Sequence, residues 1–338
     1  MTTTSRSPLR TPLCDLLGVE HPIMQAGMGL IARGKLAAAV SEAGGVGVIG
    51  SAQLTIDELR EEIRIAKRLT DKPFGVDILF ARVDTEGAEV VRYTHEVEQQ
   101  IEVTLAERVP ILISGLGNPI NVVEPAHELG ITVMSVVGNS RQAVKLVSQG
   151  VDAIIGQGHE AGGHNGRVGT AALIPRLVDA VDVPVVAAGG LSDGRGLVAS
   201  LAFGASGVWM GTRFIVTEEA HAHDNYKLKI AAIDEEGTVV TRAHSGKPVR
   251  LIRNGFTAEW DAKPDAIEPF PLQMLHVGQP ASALGRIEGD VDRGSLPAGQ
   301  GAGLISAIKP AGQVVADIVE EATVVLARLG APAPRRSR

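Results

Sequence analysis

Cysteine, aromatic residues, long apolar runs and excess positive charge are all scarce in this chain of 338 residues. The single cysteine, Cys14, can form neither an internal disulfide nor a multi-cysteine metal site, so no metal is expected. It also fits a reducing, cytoplasmic setting. Aromatics make up only 3% of residues, so the core must be built from Val, Ile, Leu and Ala, as parallel sheets are. No apolar run reaches the ~20 residues that cross a bilayer. Met1–Arg10 is polar with no apolar stretch behind it, which excludes a secretory signal and leaves a flexible start over 1–10. With 32 Lys+Arg against 39 Asp+Glu, the net charge of −7 argues against nucleic acid or an anionic membrane as partner. A small-molecule substrate is expected instead, and a homodimer is one expectation for the assembly.

Hydrophobic residues and glycine are plentiful. The 44% hydrophobic content supplies a large core, and 40 glycines let backbone approach backbone or a phosphate. Eight short apolar runs read as strands: His21–Met28, Gly44–Gly50, Pro73–Phe80, Ile111–Gly117, Ile131–Gly138, Val151–Gly158, Val183–Leu191 and Ala205–Thr212. Several are continuous runs suited to burial on both faces. Between them lie amphipathic stretches. Thr55–Leu69 puts Ile56, Leu59, Ile63, Ala66 and Leu69 on one face, with acids near its start and bases near its end. Eight alternations predict an α/β fold, a (β/α)8 TIM barrel over 11–214, with an open doubly wound sheet as the structural alternative. After Phe214 a mainly helical cap subdomain with a closing helix is predicted over 215–330. It holds a helix at His221–Glu236, an irregular Thr238–Thr257 and a last helix at Gln313–Arg328. A Pro/Arg tail, 331–338, reads as disordered.

Three stretches could carry chemistry. Gly156-Gln157-Gly158-His159-Glu160-Ala161-Gly162-Gly163-His164-Asn165-Gly166 follows a strand, at the barrel end where active sites cluster. His164 there can serve as a general base or donate to developing negative charge; a glycine-rich turn with solvated histidines is the plainer alternative. Ala188-Gly189-Gly190-Leu191 and Met210-Gly211-Thr212-Arg213 end the last two strands, where barrels hold a phosphate on backbone N–H groups. Close packing of strand ends is the alternative there. Pro22-Ile23-Met24-Gln25-Ala26-Gly27-Met28-Gly29 opens from a strand into a turn whose backbone could line a flat ring.

Taken in order, these segments resemble the nitronate monooxygenase (2-nitropropane dioxygenase-like) family. It also contains FMN-dependent enoyl-acyl-carrier-protein reductases and NAD(P)H-dependent quinone and CoA-ester reductases. The resemblance runs over about residues 10–325 and implies a flavoprotein oxidoreductase with FMN as cofactor. It places the backbone of Ala26, Gly27 and Met28 against the isoalloxazine and assigns Gln157, Gly162 and Gly163 to the flavin-contacting run. Gly189, Gly190, Gly211 and Thr212 fall to the phosphate, Met210 to the cofactor site, and His164 to the family's active-site histidine. Pro297-Ala298-Gly299-Gln300-Gly301 resembles a cap segment of the family. Where many members have asparagine, this chain has Asp77. An ionised carboxylate accepts hydrogen bonds but does not donate, so it meets the flavin pyrimidine edge differently or binds ribityl hydroxyls or substrate instead. His159 is an extra basic group placed at the pocket mouth.

The function implied is oxidation of alkyl nitronates with O2, nitronate reducing FMN. The alternative is a reductase in which NADH or NADPH reduces FMN and an enoyl or acyl-CoA thioester or a quinone accepts the hydride. Lys247, Arg250 and Arg253 in the cap could meet the phosphates of a pyridine nucleotide or CoA, or form a solvated face. A flavin-free lyase or isomerase on the same barrel would want a lysine at a strand end, and none of the eight strand runs contains one. A non-catalytic binding module would leave His164 and the glycine-rich face without a role.

Overall fold

Each of the eight apolar runs becomes a strand in the computed structural model, which describes residues 9–80 and 93–330. They are β1 (Ile23–Gln25), β2 (Gly47–Gly50), β3 (Phe74–Leu79), β4 (Ile111–Leu116), β5 (Thr132–Val137), β6 (Ala153–Gln157), β8 (Val185–Ala188) and β9 (Gly207–Met210). A two-residue strand, β7 (Gly163–His164), intervenes between β6 and β8. The eight lie side by side in the order β1-β9-β8-β6-β5-β4-β3-β2, all paired in parallel. The seam between β1 and β2 is drawn together by a bridge of Met24 to Val46, with the Gln25 amide donating to Val46 O at 2.8 Å. The barrel is therefore nearly closed, a TIM barrel and not an open sheet.

Helices alternate with the strands: α1 (Pro12–Leu17), α2 (Gly34–Glu42), α3 (Ile56–Leu69), α4 (His95–Ala106), α5 (Ile120–Glu128), α6 (Ser140–Val147), α7 (Thr170–Val178), α8 (Gly194–Ala202) and α9 (Thr212–Ile215). The sequence logic of α3 is visible at its start. Thr55 accepts from the Glu58 amide while Glu58 bonds back to the Thr55 amide, so two otherwise unpaired donors are satisfied. Leu59, Ile63 and Ala66 are the buried stripe, and Leu69, expected on that face, is exposed where the helix ends. Inside the barrel, Met24, Val48, Ile113, Met134, Ile155 and Trp209 form one apolar cluster with Leu13, Cys14 and Leu17 of α1. The lone thiol is thus core filling.

Beyond α9 come α10 (Asp224–Ala232), β10 (Thr238–Thr241), β11 (Val249–Ile252), α11 (Gly255–Asp261), α12 (Gln279–Arg286) and α13 (Ala311–Gly330). The stretch 238–257, expected to be irregular, is an antiparallel hairpin leading into α11. Its strands are only four residues long, too short for their alternation to register, and Arg250 interrupts their apolar character. β7 pairs antiparallel with β11, His164 opposite Val249 and Gly163 opposite Arg250, so a barrel loop and the cap share one three-stranded sheet. The last helix returns to the barrel, where Gly194 at the start of α8 has no room for a side chain against Ile318 and Ala322 of α13. Among the described residues no helix is long and apolar enough to cross a membrane. Expectations for residues 1–8 and for the tail 331–338 lie outside the described residues.

Candidate functional site

The parallel strands aim their C-terminal ends at one rim, and two groups of predicted residues gather there. At the first, Gly189 and Gly190 after β8 adopt φ of +105° and +73°, the left-handed region that glycine enters without strain. A side chain on Gly189 would press on the Thr170 hydroxyl, Gly158 O and the Ala161 amide; one on Gly190 would meet Glu160 Cβ. Glu160 itself is held away from the strand end, accepting the Thr170 amide at 2.9 Å at the start of α7. The segment 299–301 closes over this turn. The Gly299 amide donates to Thr212 Oγ1 at 2.9 Å, and the Gln300 amide to Glu160 O at 2.9 Å. Side chains on Gly162 or Gly301 would collide with backbone at Ala298 or Gly190. Thr212 accepts through its oxygen, so its own O–H remains available to an anion.

The second group lies at the ends of β9, β1 and β3. The Ala26 amide donates to Met210 O at 2.9 Å. A side chain on Gly211 would stand 3.6 Å from both Ala26 Cβ and Met28 Sδ. Asp77, on β3, lies directly against Gly27 on one side and Gly115 on the other, each contact possible only because a glycine is there. Asp77 is buried, and its Oδ1 has no hydrogen-bond partner among the described residues. Burial pushes its carboxyl up to about 8, against a smaller opposing pull from the Gly115 amide.

His164 connects the rim to the cap. Gln157 at the end of β6 donates its amide to the His164 carbonyl, fixing the backbone of the loop from within the barrel. The His164 ring is half-buried, and its Nε2 lies 2.8 Å from Ser245 Oγ at the turn of the cap hairpin. Desolvation, then the nearby charges of Lys247 and Arg286, push its pKa down to about 4, so the ring is neutral at pH 7. Neighbouring His244 is buried and driven down to about 3, chiefly by desolvation, with Arg286 and His164 adding to it. Its Nδ1 is 2.9 Å from Ser295 Oγ, and the two imidazoles meet edge to face with centroids 6.0 Å apart.

The structure thus brings Gly162, Gly189, Gly190 and Thr212 together, and separately Ala26, Gly27, Met28, Asp77, Met210 and Gly211. Gly163, at φ +79°, has open space where a side chain would project. Other expectations change. Arg250 is buried, its guanidinium donating to His159 O at 3.1 Å and Thr238 Oγ1 at 3.1 Å, so it faces no incoming phosphate. Arg253 donates to Glu236 O at 3.2 Å, and Lys247 stacks over Phe270 at 3.9 Å. His159 is tied into its own loop, Nδ1 lying 2.9 Å from Gly166 O. Sequence reasoning missed Ser245, His244 and Ser295, which stand in loops where nothing in their spacing announces a partner 50 or more residues away. Gly115 carried a readable signal, a glycine at a strand's C-terminal end.

Do these residues suit FMN? The left-handed turn at Gly189 and Gly190 carries no side chain of its own, as close approach of a phosphate to backbone requires, and Thr212 adds a hydroxyl. The wall at Ala26–Met28 ends in a buried, unpartnered polar atom on Asp77, as a ring with a polar edge requires. They fit, and they are the features of a flavin-dependent barrel oxidoreductase. The chain belongs to the nitronate monooxygenase family, whose pattern matches residues 10–321, and that is a family of FMN-dependent oxidoreductases.

Three similar proteins are informative. Over 246 residues, 73% of this chain, it is 42% identical to (3aS,4S,5R,7aS)-5-hydroxy-7a-methyl-1-oxo-octahydro-1H-indene-4-carboxyl-CoA dehydrogenase of Rhodococcus jostii, and it spans 66% of that relative's length. It is similar in structure to FabK from Thermotoga maritima, at 38% identity and a TM-score of 0.86 over 95% of this chain and 98% of that one. It is likewise similar to nitroalkane oxidase from Streptomyces ansochromogenes, at 30% identity and a TM-score of 0.84 over 94% and 99%.

Proposed function

We propose that this flavoenzyme oxidises small anionic alkyl nitronates with O2. The observation that carries the reading is the setting of His164, an uncharged imidazole at the rim with Lys247 and Arg286 close enough to depress its pKa. That field favours an anionic oxygen on the substrate. FMN, held by Gly189, Gly190 and Thr212 at its phosphate and by Ala26–Met28 at its ring, supplies the redox chemistry. The protein's own part is positional. Ser245 holds Nε2 of His164, and Nδ1, which has no hydrogen-bond partner among the described residues, is the nitrogen left to meet a nitro-group oxygen. A neutral imidazole can donate there without carrying charge of its own. The anchored loop and the hairpin turn above it restrict water at this face. The single cysteine supports a reducing, cytoplasmic workplace.

A second reading is favoured by the CoA-ester dehydrogenase relative: electron exchange between NADH or NADPH, FMN and an acyl-CoA or enoyl thioester. His164 would then bond the thioester carbonyl. One experiment separates the two. The purified yellow protein is mixed anaerobically with an alkyl nitronate and, separately, with NADH or NADPH. Bleaching of the flavin by nitronate alone supports the lead reading; bleaching by NAD(P)H alone replaces it with the second.

A further inference from the structure

Asp77 is placed unlike any other acid of the described chain. Its carboxyl is wedged between Gly27 and Gly115, and Oδ1 is fully enclosed without a hydrogen-bond partner. Among the described residues, every element packed on it is uncharged. β2 ends in Gly50, which lies opposite Asp77; β4 reads Ile-Leu-Ile-Ser-Gly-Leu; the turn after β1 reads Ala-Gly-Met-Gly. No lysine, arginine or histidine faces it from any of them. An ionised carboxylate in that position would have the pull of the Gly115 amide but no counter-charge, and Oδ1 would stay without a donor, less than buried ions require.

We propose that Asp77 meets the FMN ring as a neutral carboxylic acid, donating an O–H to an acceptor on the ring's polar edge. This rests on the FMN reading above. The acid is then a functional copy of an asparagine: one donor and one acceptor on a planar group of the same size. The difference is that the copy can be switched off by alkali. Burial holds the carboxyl protonated up to about pH 8. Above that, FMN binding must either displace a negative charge from the site or force its reprotonation.

The cost follows from proton linkage. If only the acid form accepts FMN, the apparent Kd scales as one plus the ratio of ionised to protonated Asp77. With a pKa of about 8, that ratio is ~0.1 at pH 7 and ~10 at pH 9, so binding weakens by about 10-fold across those two units.

The test titrates FMN fluorescence against the protein stripped of flavin, at pH 6, 7, 8 and 9, for the wild type and Asp77→Asn. The inference expects wild-type Kd to be flat to pH 7 and to rise about 10-fold by pH 9, reversibly on return to pH 7. Asp77→Asn should bind FMN at pH 7 within a few-fold of wild type and lose the alkaline weakening. A wild-type Kd independent of pH would overturn the inference on its own, even if the variant failed to fold. So would an Asp77→Asn slope equal to the wild type's, which would assign the titration to another group. Absence of FMN binding at pH 6 would instead remove the cofactor reading on which the inference stands.

Discussion

Replacing Ser245 by alanine isolates what the cap does for the histidine. Ser245 Oγ is the only hydrogen-bond partner of the His164 ring among the described residues, at 2.8 Å, and Ser245 is buried. Its loss leaves one imidazole nitrogen without a partner in a desolvated place, a penalty of about 1–3 kcal/mol. If the ring escapes that penalty by rotating, the nitrogen proposed to meet substrate moves with it. Expressed wholly in the chemical step, the penalty lowers the rate of flavin reduction by about 5- to 150-fold, since ~1.36 kcal/mol is tenfold. The assay is stopped-flow bleaching of the flavin under anaerobic conditions, with whichever reductant the spectral test identifies. FMN content should be unchanged, because the Ser245 hydroxyl bonds to His164 and the Lys247 amide and to none of Gly189, Gly190 or Thr212. Ser245→Thr, which keeps the hydroxyl, should recover most of the rate. In a His164→Ala background the Ser245→Ala change should cost little, because the group it positions is gone. Equal losses in both backgrounds, or a wild-type rate in Ser245→Ala, would refute the reasoning.

Other expectations are more direct. His164→Ala should retain yellow colour and lose about 10²–10⁴-fold in turnover, the range for removal of a general acid or base; full activity with the true substrate would remove His164 from the chemistry. Gly190→Asp should purify without flavin, because a left-handed non-glycine residue costs roughly 1–2 kcal/mol and its Cβ would press on Glu160 at 3.0 Å, distorting the turn proposed to hold the phosphate. Retention of FMN by that variant would move the phosphate site elsewhere. Acid should destabilise the fold through His164 and His244. Their native pKa values, about 4 and about 3, lie below the unfolded value of ~6.5, so the unfolded chain binds more protons between these limits. Stability is therefore full above about pH 6.5 and falls as the pH drops towards 4 and then 3. The urea midpoint should be lower at pH 5 than at pH 7.5, and an unchanged midpoint would contradict the buried neutral pair.

Strands at the heart of a parallel barrel are the easiest features to read, because burial on both faces leaves continuous apolar runs. All eight were legible for that reason, down to Val185–Ala188 inside the run Val183–Leu191. The glycine pairs at Gly189–Gly190 and around Gly211 were legible as well, since strand-end glycines mark close approach. What escaped was decided by tertiary pairing. Arg250 looked like a solvent-facing cation of the cap, but its charge is satisfied by the His159 carbonyl, so the chain around it can be a buried strand. Asp77 read as an ordinary carboxylate, because nothing local reveals that both its neighbours in space are glycines. Ser245 and His164 are 81 positions apart, and only the folded sheet joins them.

That sheet has a consequence for how such enzymes can be recombined. Gly163–His164 is itself an edge strand beside the hairpin of 238–252, so a barrel loop and that hairpin form one sheet. A chimera that grafts another relative's hairpin onto this barrel changes the backbone to which the His164 loop is laced. The natural unit of exchange runs across the boundary: residues 157–166 must travel with 238–252, or the grafted protein will hold its flavin while misaligning its histidine.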